Sequence, residues 1–333
     1  MKTTDWENII YLKTGTEKQK HVFEILNSHN ILTCLKSYNP VLVSSICIDI
    51  DIPESDIDII CQYDNIEEFI DYVKSKFSKF LNFRQWDRSS TEVVTSFNIG
   101  NFIIEIFAST IPVKQQEGYR HLSIMARLLN IGGNILQDSI RSLKIDGYKS
   151  EAAFAKIIGL KGNPYHELLK LENYNDNQLK NILLNSCEVI LKRTSFSELE
   201  YIADFEKDTS VSTFIYPYLY NKHCQVYNEK SIIYLTICRG VKVSGHIILN
   251  IEEGGNSIEF RRIVVYDKNR GIGSLAIENF EVFCKMNYDA KRIWLDVFST
   301  NERAIHVYEK AGYTFFRSEF SGNNELLYYE KII

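Results

Sequence analysis

The stretch IEFRRIVVYDKNRGIGSLAIENF, residues 258–280, constrains this chain more than any other. A β-rich apolar run hands over to an amphipathic helical pattern through two glycines that flank one isoleucine, just after Lys268, Asn269 and Arg270. Three readings compete: a tight turn that needs glycine and nothing more, a dinucleotide-binding fingerprint, and a cradle for a pyrophosphate. The dinucleotide pattern requires a third glycine where Ala276 stands and a preceding βαβ unit that the flanking sequence lacks. A P-loop fails because no Gly-Lys-Ser/Thr follows. A helix N-terminus carries unpaired N–H groups and partial positive charge, and glycines let an anion touch that backbone. KNRGIG suits that role, with Gly271 and Gly273 removing Cβ atoms and three polar or basic side chains beside them.

At 333 residues the chain exceeds what one core usually organises, which predicts two domains of roughly 150 residues each. In the first half the pattern predicts a helix over 16–29, strands near 41–50 and 56–61, a helix over 65–81, strands near 92–98 and 101–107, and mainly helix from 115 to about 184. The breaker-rich segments at 163–165 and 173–178 place a domain boundary near 180–187, giving domains 1–182 and 187–333. The second half reads βααβββαβαββ, a mixed α/β domain.

The formal net charge of -5 argues against a nucleic-acid partner. No apolar run approaches the ~18 residues of a membrane span, and the N-terminus lacks a signal-peptide core, so the expectation is a cytoplasmic protein with no membrane partner. Seven scattered cysteines without a CxxC pair predict reduced thiols.

The segment around the glycine turn, followed by RIWLDVFSTNERAIHVYEKAGYTFF, resembles the GNAT superfamily of acetyl-CoA-dependent N-acetyltransferases, in the branch of ribosomal-protein and diamine acetyltransferases. The resemblance covers about residues 187–333 and implies a central mixed sheet flanked by helices. It implies that Lys268 stands at the Gln/Arg position of the family loop, and that the backbone from Gly271 through Ile272, Gly273 and Ser274 holds the coenzyme A pyrophosphate. The preceding strand, at Ile263, Val264 and Val265, would splay from its neighbour and pair with the pantetheine arm. NERAIHVYEKAGY would place Asn301 on the pantetheine, Ala304 beside it, and Tyr308 at the thioester sulfur. Aminolysis of a thioester expels a thiolate, which a phenol hydroxyl can protonate or hydrogen-bond. Glu259, on the strand entering the turn, is the candidate general base, with Glu252 and Glu253 as alternatives. The acceptor is expected to be a small-molecule or peptide amine, met by residues 204–228.

In the first half, VLVSSICIDIDIPESDIDIICQYD sets Asp56 and Asp58 around Ile57, so that alternation puts both on one strand face, and IIEIF adds Glu105 among apolar residues. Three converging acids suggest a divalent-metal site. The spacing resembles the nucleotidyltransferase signature hG[GS], Dh[DE]h, h[DE]h, and residues 10–170 also resemble an uncharacterised bacterial family built around it. The resemblance implies Mg2+ and a nucleoside triphosphate, although Ser44 stands where that signature has glycine. His121, beside Arg120, is a further phosphate or substrate contact candidate. The other readings of this half are an acceptor-recognition module and a homodimerisation module.

Overall fold

The computed structural model describes residues 6–268, 270–322 and 324–333. The described chain divides into two compact units. The first takes the described residues through Gly133, Lys149–Ala155 and Leu160–Lys180; the second takes Asn134–Tyr148, Lys156–Gly159 and Asn181–Ile333. Each contains one mixed sheet, so the protein is of the α+β class. No helix among the described residues is long and apolar enough to cross a membrane.

The chain enters through the helices Glu17–Ser28 (α1) and Ile31–Cys34 (α2) and the strands Val41–Leu42 (β1) and Ile57–Gln62 (β2). After Ile66–Phe77 (α3) come Leu81–Ser89 (β3), Glu92–Ile99 (β4) and Phe102–Ser109 (β5), and the sheet order is β1-β2-β5-β4-β3. The α1 start is fixed by a capping box in which Thr16 and Gln19 satisfy each other's free N–H groups. The strand expected over 41–50 stops at Leu42; Ser45–Ile48 is a 3-10 turn instead. Ile46, Cys47 and Ile48 are all buried, which an alternating strand face does not permit. The helix expected to reach 81 ends at Phe77, and Leu81 opens an edge strand whose residues are largely exposed.

The helices Glu117–Ile145 (α4), Ser150–Ile158 (α5), Pro164–Lys170 (α6) and Asp176–Asn185 (α7) follow, and α4 is broken at Gly133, whose φ of 61° and ψ of -158° suit glycine alone.

The second sheet is built from Val189–Arg193 (β6), Ile232–Arg239 (β7), Lys242–Ile251 (β8), Ser257–Val265 (β9), Arg292–Phe298 (β10), Thr314–Ser321 (β11) and Asn324–Ile332 (β12), in the order β11-β12-β10-β9-β8-β7-β6. Between β6 and β7 lie Leu199–Glu206 (α8), Thr209–Ser212 (α9) and Tyr220–Tyr227 (α10), one helix more than the pattern suggested. Ile272–Tyr288 (α11) leads from β9 to β10, and Glu302–Lys310 (α12) from β10 to β11. The buried residues of α11, among them Ile272, Ala276, Ile277, Phe280 and Cys284, form a helical stripe. That stripe packs on Leu235, Ile247, Ile258, Phe260 and Leu295 in one continuous core that also takes Tyr308 of α12. A smaller cluster joins Leu199, Ile202 and Val226 of α8 and α10 to Tyr234 and Ile248.

Candidate active site

The site begins with a break in the sheet. Strand β10 pairs in parallel with β9 only through Arg292–Ser257, Ile293–Ile258 and Trp294–Glu259. Beyond Glu259 the ladder to β10 ends although both strands continue, and β9 pairs only with β8. A bulge at Arg261, between the pairs Ile248–Arg262 and Leu249–Phe260, bends β9 where the two diverge. The backbone of 263–265 thus has no β10 partner, and a cavity of about 490 Å³ opens there.

The cavity gathers residues more than forty positions apart. Ile263, Val264 and Val265 meet Lys268, Arg270, Gly271, Ile272, Gly273 and Ser274 along one side; Asn301, Ala304 and Tyr308 contribute from α12. Asn269 lies outside the described residues. Sequence reasoning did not single out Ser210, Val211, Phe214 and Ile215 individually, yet they also line it.

Gly271 is the N-cap of α11 at φ 71° and ψ 2°, a left-handed conformation that favours glycine, and it offers no side-chain cap to the first turn. A Cβ there would meet no protein atom within 4 Å; at Gly273 it would only touch Val265 Cγ2 at 3.7 Å. The protein therefore leaves room above the helix N-terminus, where unpaired N–H groups favour an anion. The Lys268 ammonium donates to the Ser210 carbonyl at 3.0 Å, joining this turn to α9.

Asn301 caps α12, its Oδ1 accepting from the Ala304 N–H at 3.3 Å. Tyr308 sits in the second turn beyond it, buried edge-on against Phe260 at 5.9 Å. Burial, reinforced by the Asp296 carboxylate, pushes its hydroxyl well above the ordinary phenol value, so the O–H keeps its proton across the working pH range.

Glu259 does not line the cavity. Its carboxylate is held by Arg261 through Nε and Nη2 at 3.1 and 2.8 Å, and by Asn250 Nδ2 at 3.0 Å. Glu252 accepts from Trp294 Nε1 at 2.9 Å. Asp296, two residues past the last β9–β10 pair, went unnoticed in the sequence, although an acid between Leu295 and Val297 gives the same signal that drew attention to Glu105. The Asp296 carboxyl is hemmed in by neighbouring groups: partial loss of its water, then the Glu259 and Glu319 carboxylates, raise its pKa against the opposing Arg261. It stands on the face opposite the core-facing Leu295 and Val297, within electrostatic reach of Tyr308.

A second polar feature lies under the open face. Glu206, at the end of α8, is fully buried and accepts from Arg262 Nη1 at 2.5 Å, from the Tyr218 N–H at 3.0 Å and from His246 Nε2 at 2.9 Å, with His223 Nε2 3.4 Å away. His246 Nδ1 meets the Tyr266 hydroxyl and His223 Nδ1 the Tyr234 hydroxyl, each at 3.0 Å. Burial opposes the charge on Glu206, but the histidine hydrogen bonds and the Arg262 charge outweigh it and hold the carboxyl far below its usual range. Burial lowers His246 despite Glu206. The arrangement is one buried ion pair flanked by two imidazoles.

In the first unit, Asp56 ends the loop before β2, while Asp58 on β2 and Glu105 on β5 are direct register partners. The strand begins at Ile57, so Asp56 immediately precedes it. Withdrawal from water raises Asp56, and withdrawal together with Asp56 raises Glu105. Among the described residues no group of three or more His, Cys, Asp or Glu side chains is arranged to hold a metal ion, so the expected Mg2+ site of Asp56, Asp58 and Glu105 finds no support in the geometry. The buried Ser44 makes a structural tie: its Oγ donates to the Asp56 carbonyl at 2.6 Å and accepts from the Ile46 N–H. His121 is buried, its Nε2 2.9 Å from the Tyr165 carbonyl, and Arg120 forms a forked bond with Glu172.

The acetyltransferase (GNAT) family model matches residues 198–313. That of a domain of unknown function, DUF4269, matches residues 24–171; neither describes a nucleotidyltransferase. No curated protein matches the chain. Similar solved structures include the aminoglycoside acetyltransferase AAC(6')-Ib in complex with coenzyme A, at 13% identity over 44% of this chain and 95% of that one, TM-score 0.39. Spermidine N-acetyltransferase from Vibrio cholerae in complex with CoA and spermine matches at 16% identity over 43% and 95%, TM-score 0.40. A GNAT-family acetyltransferase from Streptococcus pneumoniae matches at 17% identity over 44% and 99%, TM-score 0.37.

Proposed function

With a GNAT acetyltransferase domain at residues 198–313, we propose that the chain moves acetyl from acetyl-CoA to a primary amine by direct attack, with no covalent enzyme intermediate. The observation that carries this reading is the convergence on one cavity of the glycine turn, the unpaired stretch of β9, and Asn301 and Tyr308 of α12.

The first-turn amides of α11, with Lys268 and Arg270, bind the pyrophosphate of the substrate. The freed backbone of 263–265 takes the pantetheine amides as a further strand would. Asn301 and Ala304 border that arm, which brings the thioester to Tyr308. The amine nitrogen then bonds to the thioester carbonyl carbon, the C–S bond breaks, and the sulfur leaves with the electron pair. The Tyr308 O–H hydrogen-bonds the sulfur as negative charge builds on it.

Asp296, rather than the engaged Glu259, takes the proton that the attacking ammonium must lose. Its raised pKa narrows the gap to an amine, which makes the carboxylate a better base at neutral pH. That proton passes to solvent, the acylated nitrogen then releases its second proton, and the departing thiolate takes up one proton from solvent and leaves as thiol, so that one proton is released overall.

Titrating the protein with acetyl-CoA by calorimetry, then following thiol release with a panel of primary amines, tests the reading. Binding with amine-dependent release is expected; no binding would refute it.

A further inference from the structure

The Glu206–Arg262 pair has a second attachment. Arg262 Nη2 donates to the Tyr216 carbonyl at 2.8 Å, and its guanidinium lies 4.1 Å over the Tyr218 ring, while Glu206 holds the Tyr218 N–H. Both sides of residue 217 are thereby fixed to one buried ion pair. The Tyr216 ring is itself 58% exposed, and it stands edge-on to Phe298 with centroids 5.5 Å apart.

That placement spans the splay. Tyr216 belongs to the segment between α9 and α10, two residues after the cavity-lining Phe214 and one after Ile215, whereas Phe298 belongs to β10. Phe298 and Asp296 are two apart on β10, and successive alternate residues of a strand share a face. An exposed aromatic ring therefore stands on the same face as a carboxylate that makes no ion pair among the described residues. A ring face and a carboxylate together are the chemistry that receives an organic ammonium group.

We propose that Tyr216 is a specificity-determining wall for the cationic amine acceptor, and that Glu206 is a positioning residue which acts through Arg262 to hold that wall across the mouth between β9 and β10. The inference rests on the acetyltransferase reading above. It assigns Glu206 no contact with substrate: its work is to fix the Tyr216 backbone.

The experiment uses the full chain and four probe amines: 1,3-diaminopropane, spermidine, kanamycin and a peptide with a free N-terminus. The amine giving the fastest thiol release serves throughout. Tyr216→Ala is expected to raise KM for that amine about tenfold, with kcat changed less than about threefold and acetyl-CoA affinity by calorimetry unchanged. Tyr216→Phe, which keeps the ring, should restore KM to within about twofold. Glu206→Gln should raise the amine KM in the native background but add less than about twofold in the Tyr216→Ala background, because both changes remove one wall.

Equal effects of Glu206→Gln in both backgrounds, or an unchanged KM in Tyr216→Ala, would overturn the proposal while wild-type turnover leaves the acetyltransferase reading intact. If Glu206→Gln does not fold, the contrast between Tyr216→Ala and Tyr216→Phe decides alone. A wild-type protein that binds no acetyl-CoA, or releases no thiol with any of the four amines, overturns both.

Discussion

Glu259 and Trp294 form the last pair that joins β9 to β10, and Asp296 follows on the strand just where that partner is lost. Glu259 is spent on Arg261 and Asn250, whereas Asp296 faces Glu259 and Arg261 from β9, Tyr328 from β12 and Glu319 from β11, and its charge reaches Tyr308 of α12. Two consequences follow for pH. A base must be ionised to act, so kcat/KM for the amine should rise with pH through the raised Asp296 pKa, above the ordinary aspartate value of 3.8. Asp296→Asn should lower kcat/KM about 100-fold and erase that acidic limb, while Glu259→Gln keeps it. A pH–rate series on the two variants checks this, and an intact limb in Asp296→Asn would remove Asp296 from the mechanism.

Gly273 separates ligand space from backbone strain. Alanine there meets only Val265 at an ordinary contact distance, so the fold should be retained or gain about 0.5–1 kcal/mol in thermal stability. Acetyl-CoA affinity should nevertheless fall about tenfold, because the added methyl occupies the approach to the helix N-terminus. Gly271→Ala should lose both affinity and about 1 kcal/mol of stability through its positive φ. Calorimetry beside thermal melts distinguishes the two.

Tyr308→Phe removes one oxygen from a buried ring without changing its shape. The expectation is a fall in kcat of about 100-fold with acetyl-CoA affinity preserved. Steady-state kinetics with thiol detection measures it; a fall in affinity alone would make Tyr308 a packing residue.

Arg262 should be costly to truncate. Arg262→Met leaves Glu206 charged, buried and short of its main counter-ion, an arrangement that costs about 3–5 kcal/mol. The sign of the pH dependence follows from the same network. His246 is depressed below its ordinary 6.5 and Glu206 below its ordinary 4.5, so in both cases the unfolded chain binds protons first on acidification. Their stabilisation is full above pH 6.5, erodes as pH falls below it, and erodes further below pH 4.5. Denaturant melts from pH 8 down to about pH 3 should show this slope; Glu206→Gln should lose the part below pH 4.5 and keep or steepen the part below pH 6.5, because the carboxylate favours the charged form of His246.

Local signals in the sequence mark those segments lining the candidate cavity that depend on neighbours in the chain. The glycines of the 258–280 stretch mark a strand-to-helix turn, and Asn301 of the NERAIHVY segment is the N-cap of α12, a role the sequence reading did not assign it. Long-range partnerships were not visible. Glu206, His223, His246 and Arg262 carry no common spacing; only the fold brings them within 3.4 Å of one carboxylate. Glu259 looked available because a strand carboxylate is ambiguous until its neighbours are known, and Arg261, swung into place by the bulge, claims it. In the first half, the run from 41 to 50 offered β-branched residues without alternation, and Ser44 capping turned it into a 3-10 turn.

The most direct measurement is a calorimetric titration of the intact protein with acetyl-CoA. One site per chain is predicted, with affinity reduced in Gly273→Ala and unchanged in Tyr308→Phe. Heat no greater than dilution, or equal affinity for the Gly273→Ala protein, would contradict the assignment of this cavity to acetyl-CoA.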